Sequence, residues 1–371
     1  MSNYTYSETI PDNFNPNGYT SFDNVDFMLS FPNRKLINSS IRICGTVVLK
    51  QGAAVVADEF IFIDQDIGSN AFFSDITTSL SNVGMIESIS EYPRLVKTRR
   101  IASKSYTDYL KADKLVELSS PTSMMSSSVA KGYTMNGVGP SIGPMDFSFK
   151  PLISLNRMAS ASRAPTMSFR KSGAVRISVR LARNLAVLFG PSVDATSSYT
   201  LTDLKVTYAT VPDDGTDEPI TMENVTSIKT TIQSTSANIA AQVPAICRSM
   251  TCSALVQDHE FSPVYNNVGC ENVPDMSRLQ FLFNDSTNKL VTYQINSQSE
   301  ILSRFVESVD RSGHSSLSPW HQCRSTNFGF GLDFGQFIDL RNQTIQVQLT
   351  TGVTSTAPMI VFLYFNGIIQ M

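Results

Sequence analysis

"VRISVRL", residues 175–181, places Val175, Ile177, Val179 and Leu181 on one side of the chain and Arg176, Ser178 and Arg180 on the other. A helix with 3.6 residues per turn would scatter this strict alternation around its axis. An extended strand with one face in a core and the other in water produces it directly. The period returns in "TIQVQLT" (344–350), with Ile345, Val347 and Leu349 inward and two glutamines outward. "LQFLFNDSTNKLVTYQI" (279–295) reads as two strands about a polar turn, Leu279-Phe281-Phe283 and Val291-Tyr293-Ile295. "SIRICGTVVL" (40–49) and "LTDLKVTYATV" (201–211) are further strands. Strands punctuated by Gly, Pro, Asn and Asp, with few helices between them, predict β-sandwiches or barrels with mostly antiparallel sheets.

Three stretches carry helix signals. In "SQSEILSRFVESVD" (297–310), Ser297 and Glu300 form a capping box, and Ile301, Phe305 and Val309 recur at helical spacing. "STSANIAAQVPAICRSM" (234–250) predicts a second helix kinked or ended by Pro244, and "NAFFSDITTSL" (70–80) a third.

A chain of 371 residues is long for one core and comfortable for two. The apolar fraction of 42% against 16% charged allows two sizeable cores and leaves a thinly charged surface. "VPDDGTDEPITMEN" (211–224), rich in Pro, Asp and Gly, is the best linker, whereas 118–145 is loop-like but lies inside the first half. The halves also close alike: "GAVRISVRL" then "YTLTDLKVTYATV", and "DLRNQTIQVQL" then "APMIVFLYFNGII". The last run, Met359 to Ile369, is apolar on both faces and predicts an interior strand covered on each side.

"FGFGLDFGQF" (328–337) contains Asp333-Phe334-Gly335, the magnesium-holding tripeptide of protein kinases. The kinase loop, lysine and His-Arg-Asp motifs are absent, as is a GxxxxGK[ST] loop. The decapeptide reads instead as a strand with Phe328, Phe330, Leu332 and Phe334 on one face. Its glycines mark a close approach on the other.

With its continuation "IDLRNQTIQVQL…IVFLYFNG", this stretch resembles the last strands of double jelly-roll major capsid proteins, the lineage of tectivirus-like phages and adenovirus hexons. Three further stretches resemble the same proteins. "FIDQDIGSNAFFSDITTSLSNVGMIESISEYPR" (62–94) is similar to their Asp-x-x-Ile-Gly segment. "FSFKPLISLNRM…FRKSGAVRISVRLARNLAVLFG…YTLTDLKVTYATVPDD" is similar to the closing strands of their first jelly roll, and "SIKTTIQSTSANIAAQVPAICRSMTCSALVQ" (227–257) to the opening of the second. Order and spacing over most of residues 25–371 carry the resemblance; residues 1–24 and 118–145 take no part in it.

The resemblance implies an all-β chain of two tandem eight-stranded jelly-roll sandwiches with a few short helices. Its parts would be an N-terminal arm (1–24), a first jelly roll (25–212, with the long loop 118–145) and a second (213–371). It implies homotrimers of pseudo-hexagonal outline tiling an icosahedral shell, and so virion localisation with assembly in the host cytoplasm. The implied partners are neighbouring capsomers, vertex or penton and minor capsid proteins, and an internal membrane, without sequence-specific nucleic acid binding. No catalytic residue, cofactor or metal is implied. A tandem β-sandwich carbohydrate-binding or adhesin protein is the alternative, and a β-sandwich glycosidase a third reading. The single Trp320 gives a lectin platform little support, and no facing carboxylate pair can be nominated for hydrolysis.

Other candidate sites are thin. Cys247, Cys252, His321 and Cys323 could be drawn into a zinc site, but no CxxC pair anchors one, and small buried thiols are expected. Five cysteines without a signal peptide predict free thiols in a reducing compartment. Asp64, Asp66, Gly68, Asn70 and Asp75 are spaced somewhat like a calcium loop, yet Gly68 falls where an oxygen ligand belongs, which favours an Asx-rich turn. The histidines lie in polar sequence, and five N-x-[ST] sequons (Asn3, Asn38, Asn224, Asn284, Asn342) carry little weight in a Ser/Thr-rich chain. No segment is long and apolar enough to span a bilayer as a helix.

Net charge is −3, but its distribution is uneven. From Phe147 to Val193 the charged residues are all basic: Lys150, Arg157, Arg163, Arg170, Lys171, Arg176, Arg180 and Arg183. "RLVKTRRIASK" (94–104) adds a second basic cluster, and acids gather in 194–223. These read either as solvated faces balanced by a neighbouring domain or as contact with an anionic partner.

Overall fold

The computed structural model describes residues 4–371 except 51–60, 62, 65–66, 104–140, 160–164, 191–192, 217, 244, 284–288, 295–296, 311–328 and 342–343. Strands dominate it, in three sheets that build two sandwiches.

The first sandwich pairs β1 (Thr5–Thr9), β11 (Ser198–Pro212), β4 (Arg42–Lys50) and β7 (Ser141–Phe149) in one sheet. Its facing sheet runs β2 (Asn24–Leu29), β10 (Val175–Leu181), β5 (Phe73–Leu80) and β6 (Gly84–Ile89). The short β3 (Arg34–Ile37) and β9 (Thr166–Ser168) extend the first sheet beside β11. The second sandwich repeats this order with one unbroken set of eight strands. β12 (Thr221–Ile232), β19 (Met359–Gln370), β14 (Ile246–Val256) and β17 (Phe330–Asp339) form one sheet. β13 (Ser236–Gln242), β18 (Thr344–Thr350), β15 (Arg278–Phe283) and β16 (Lys289–Gln294) form the other.

Within each unit the first strand thus pairs with the last, the last with the third, and the third with the sixth. The second strand pairs with the seventh, the seventh with the fourth, and the fourth with the fifth. This is the jelly-roll winding, present twice. The expected period-two strands are all here: β10 buries Val175, Ile177, Val179 and Leu181, and β18 buries Ile345, Val347 and Leu349.

The two units share a sheet. β6 of the first lies parallel to β12 of the second, with Ser88 opposite Thr226. β8 (Met158–Ala159) pairs lower down the same edge of β12. The nine-stranded sheet that results serves two cores from opposite faces. Alternate residues of β19 show this: Ile360, Phe362 and Tyr364 join the first core, while Met359, Val361, Leu363 and Phe365 join the second. That is why the run 359–365 is apolar without alternation.

Two expected helices are strands or turns. Residues 234–250 form β13 and the start of β14, because Ile239 and Ala241 alternate inward against outward Asn238, Ala240 and Gln242. Alanine-rich composition suggests a helix, but cross-strand pairing decides. Residues 70–80 end a one-turn 3-10 helix (Gly68–Phe72) and then enter β5. Pro244 lies outside the described residues. The third expectation holds as α2 (Gln298–Asp310), where Ser297 Oγ accepts from Glu300 N at 3.3 Å and Ile301, Phe305 and Val309 are buried.

In α1 (Tyr92–Ser103), Tyr92, Leu95 and Val96 are buried, but the run "RLVKTRR" sets four basic residues among them and hides the apolar face. Pro93 in its first turn suits a helix start, and Glu91, at φ 53°, swings the chain out of β6 into it. Residues 1–24, expected as an arm, contain β1, which is hydrogen-bonded to β11. The stretch 118–140 lies outside the described residues.

Candidate functional site

The distinctive chemistry of this molecule lies along the seam between the sandwiches. Glu87, at the end of β6, is fully buried, and its carboxylate is divided among three donors. Oε1 takes Arg157 Nη2 at 2.7 Å and Val225 N of β12 at 3.0 Å, while Oε2 takes Ser154 N at 2.7 Å. Arg157 donates its other branch to Glu223 Oε2 at 3.2 Å, and its carbonyl accepts Glu223 N at 3.3 Å. Arg99 of α1 lies 4.0 Å from the same Glu223 oxygen. Burial pushes the Glu87 carboxyl upward, and the Arg157 cation and the Ser154 donors oppose it. Burial and the neighbouring Arg157 charge pull Arg99 down to about 9, with Glu223 and Glu87 holding it up. Each charge is therefore tolerable only in the presence of the others.

Arg99 also donates to Asn366 Oδ1 at 3.0 Å. Asn366 donates to Ser249 Oγ at 3.0 Å, and Ser249 to the Ser308 carbonyl at 2.8 Å. This thread ties α1 to α2 across β19 and β14, and it accounts for an asparagine in an otherwise apolar strand. Nearer the start of α1, Arg94 stacks on Phe362 at 4.1 Å and donates to the Gly269 carbonyl at 3.1 Å.

Two segments lock the seam from outside. The loop after β14 reaches back to the first sandwich, where Asn267 Nδ2 meets the Leu185 carbonyl at 2.6 Å and Asn266 Nδ2 meets Asp64 at 2.6 Å. Lys229 bridges Glu91 at 3.1 Å and Glu260 at 2.6 Å. The linker is held too, since Lys35, almost fully buried, donates to Asp214 Oδ1 and to the Thr216 carbonyl, each at 2.5 Å. Asp213 receives Ser168 Oγ.

The candidates read from the sequence resolve as follows. Asp64 is buried and ion-paired with Lys97 of α1 at 2.8 Å. Asn70 accepts the Tyr92 hydroxyl at 2.8 Å, and Asp75 accepts Ser74 Oγ. Asp66 lies outside the described residues. Cys247 and Cys252 are buried in the second core; His321, Cys323, Trp320 and His314 lie outside the described residues. Among the described residues, no group of three or more His, Cys, Asp or Glu could hold a metal ion.

Asp333 accepts the Gly335 backbone N–H at 3.1 Å within β17. Gly331 is where α2 crosses, since a Cβ there would run into Ser308, whereas a Cβ at Gly329 would first collide with the Cys252 carbonyl of β14 and also sit 3.0 Å from the Phe305 ring of α2. The close approach read from the glycines is therefore the helix crossing the strand at Gly331 and the backbone of β14 at Gly329.

The basic stretches divide. Arg94, Lys97, Arg99 and Arg157 point into the protein and find partners there, although the buried Arg99 Nη1 makes no hydrogen bond. Arg170, Lys171, Arg176, Arg180 and Arg183 stand exposed. Arg176 pairs with Asp26 at 2.9 Å, while Arg180 and Arg183 both lie 5.7 Å from the ring of the half-exposed Phe22. Glu87, Glu223 and Asn366 carry no signal in the sequence; a lone carboxylate between "GMI" and "SIS" gives no sign of a buried partner as distant along the chain as Arg157.

The thiols support a direct test. Cys44, Cys247, Cys252 and Cys270 are all unpaired, and only Cys44 is partly exposed. Burial pushes Cys247 up to about 12 and Cys270 up to about 11. Alkylation of the native protein should therefore spare Cys247, Cys252 and Cys270 while modifying Cys44. After unfolding without reductant, mass spectrometry should find all five cysteines labelled; any protected pair would refute free thiols.

No family model matches the chain, and no curated protein matches it. Solved structures do, over nearly its whole length. The Faustovirus major capsid protein is 8% identical with a TM-score of 0.63, covering 100% of this chain and 90% of that one. A chain of the Sputnik virophage, determined by cryo-EM, is 12% identical with a TM-score of 0.58, covering 99% and 86%. The mavirus major capsid protein is 8% identical with a TM-score of 0.53, covering 99% and 88%. The fold shared with these proteins is the double jelly roll.

Proposed function

We propose that the chain is a viral major capsid protein whose three copies form a pseudo-hexagonal capsomer that tiles an icosahedral shell. One observation carries the reading: two jelly rolls of the same winding, fused edge to edge through one sheet, account for nearly every described strand. Two like bodies per chain give a trimer a six-fold-like outline, which packs in near-hexagonal arrays. The buried ion cluster supports this, because tiling requires the two bodies to keep a fixed angle.

The division proposed for the chain places the boundary at residues 212/213, with the first jelly roll before it and the second after. The role is structural, without catalysis, cofactor or metal. Vertex, minor capsid and internal-membrane contacts belong to the same proposal, as do residence in the virion and assembly in the host cytoplasm. The exposed Arg170, Lys171, Arg180 and Arg183 are available to acidic partners in that setting.

Light scattering coupled to size exclusion should give three times the 40.8 kDa chain mass, with no loss on dilution. Obligate interfaces of several thousand square ångströms resist dilution. Negative-stain images should show particles of hexagonal outline. A monomer at micromolar concentration, or a dimer, would overturn the proposal.

A further inference from the structure

Asp64, on the chain leading into β5, brings together two nitrogens that come from different sandwiches. Lys97 Nζ of α1 donates to its Oδ2 at 2.8 Å, and Asn266 Nδ2, from the loop after β14, donates to the same Oδ2 at 2.6 Å. The Asp64 and Lys97 side chains are 1% and 13% exposed, so the three groups meet out of bulk water. The arrangement is fixed from both sides. Asp64 Oδ1 accepts Ile67 N at 3.2 Å, and the Asp64 carbonyl accepts Gly68 N at 2.8 Å. Asn266 Oδ1 accepts Val268 N at 3.1 Å, and the next residue, Asn267, is tied to the Leu185 carbonyl. An ion pair needs only the lysine and the aspartate. Here a primary amide shares the same carboxylate oxygen, with its own carbonyl already polarised by a backbone N–H.

We propose that Lys97 and Asn266 become joined by an amide bond, formed once within the folded chain with Asp64 as the proton relay. The inference goes beyond the capsomer reading and does not depend on it.

The step balances with the groups in place. Asp64 Oδ2 takes a proton from Nζ, leaving a neutral amine beside a carboxylic acid. In an enclosed site that neutral pair costs less, relative to the ion pair, than it does in water. The Nζ lone pair attacks Asn266 Cγ, and the carbonyl electrons move onto Oδ1, where the Val268 N–H supports the charge. Asp64 gives its proton to the departing Nδ2 and takes one back from Nζ. The C–N bond to Nδ2 breaks, ammonia leaves, and the new C–N bond to Nζ remains. Ammonia carries off the Asp64 proton as ammonium, and nothing is oxidised or reduced. Holding the reactants together supplies what a free lysine and asparagine in solution lack. The product ties α1 of the first sandwich to the second sandwich, at a place apart from the Glu87 cluster.

The mass of the full-length protein, measured in denaturant after folding, tests this. The parent should be lighter than its sequence by one ammonia. Trypsin should release residues 95–99 joined to residues 249–278, with Lys97 uncut. On a denaturing gel the parent should run ahead of Lys97→Met, because a closed loop keeps the chain compact. Lys97→Met and Asn266→Ala should each carry the full sequence mass. Asp64→Asn keeps an acceptor but cannot relay a proton, and should link roughly a hundredfold more slowly with unchanged circular dichroism. Linking at the parent's rate in that variant would overturn the relay. A folded parent that holds its full sequence mass through prolonged incubation overturns the proposal, whether or not the variants fold. So does an ammonia loss that maps to Asn17, Asn136 or Asn366, each followed by glycine, where ring closure on the backbone accounts for it. A loss of water with Lys97 joined to Asp64 would overturn the choice of Asn266.

Discussion

Removing residues 359–371 should leave no soluble protein. β19 is an interior strand of its sheet, hydrogen-bonded along its length to β12 on one side and β14 on the other. Its side chains from Met359 to Phe365 are all at most 3% exposed, and they fill two cores in alternation. Burial of such residues stabilises by roughly 1.5–3 kcal/mol each, on the order of 10–20 kcal/mol together, against a typical domain stability of about 5–15 kcal/mol. Deletion also strips the hydrogen-bond partners of two central strands. A terminal strand serving one sandwich would damage that sandwich alone; here the first core would lose Ile360, Phe362 and Tyr364 as well. Expression of the truncated chain should give inclusion bodies. A soluble product with native circular dichroism would contradict the two-faced role assigned to this strand.

The fold is largely legible where burial is one-sided. β10 and β18 announce themselves because every second residue meets water. The doubly covered β19 is legible for the opposite reason: its length is that of a strand and it lacks alternation. Legibility fails where residue type and environment part company. In β13, alanine occupies both the exposed and the buried face, so Ala240 and Ala241 carry no period that can be read. α1 fails differently. It is a buried helix whose inward residues include Arg94 and Arg99, each only 3% exposed, so charge points to solvent in the sequence where the chain has put it inside. β1 is short, exposed and rich in Thr and Ser, and only its register against β11 makes it a strand. The candidate site is least legible. Glu87, Arg99, Arg157 and Glu223 are scattered from the middle of the first sandwich to the start of the second, and tertiary structure alone brings them together.

That cluster yields the second large effect. Arg157→Met should destabilise the protein by about 3–5 kcal/mol, the usual cost of leaving a buried charge without its partner. The stranded group is Glu87, whose side chain is wholly enclosed. Glu87→Gln should cost less, about 1–3 kcal/mol, because the amide oxygen still accepts from one of the two backbone N–H groups and Arg157 keeps Glu223, while the NH2 leaves the other backbone donor without an acceptor. The double variant should cost less than the sum of the two, since a neutral amide at position 87 needs no cation. The midpoint of urea unfolding reads all three. The sign with pH follows from the carboxyl. Burial already raises Glu87 above the ordinary carboxylate range, and loss of Arg157 raises it further. A group whose folded value is raised contributes stability below that value and loses it as pH rises through it. The Arg157→Met deficit should therefore be smaller at about pH 5 than at about pH 8, because a protonated Glu87 is the cheaper one to bury. The Glu87→Gln, Arg157→Met protein should lose that dependence. Additive costs, or a deficit that does not change with pH, would mean that Arg157 fills space at the seam and does not hold its charge balance.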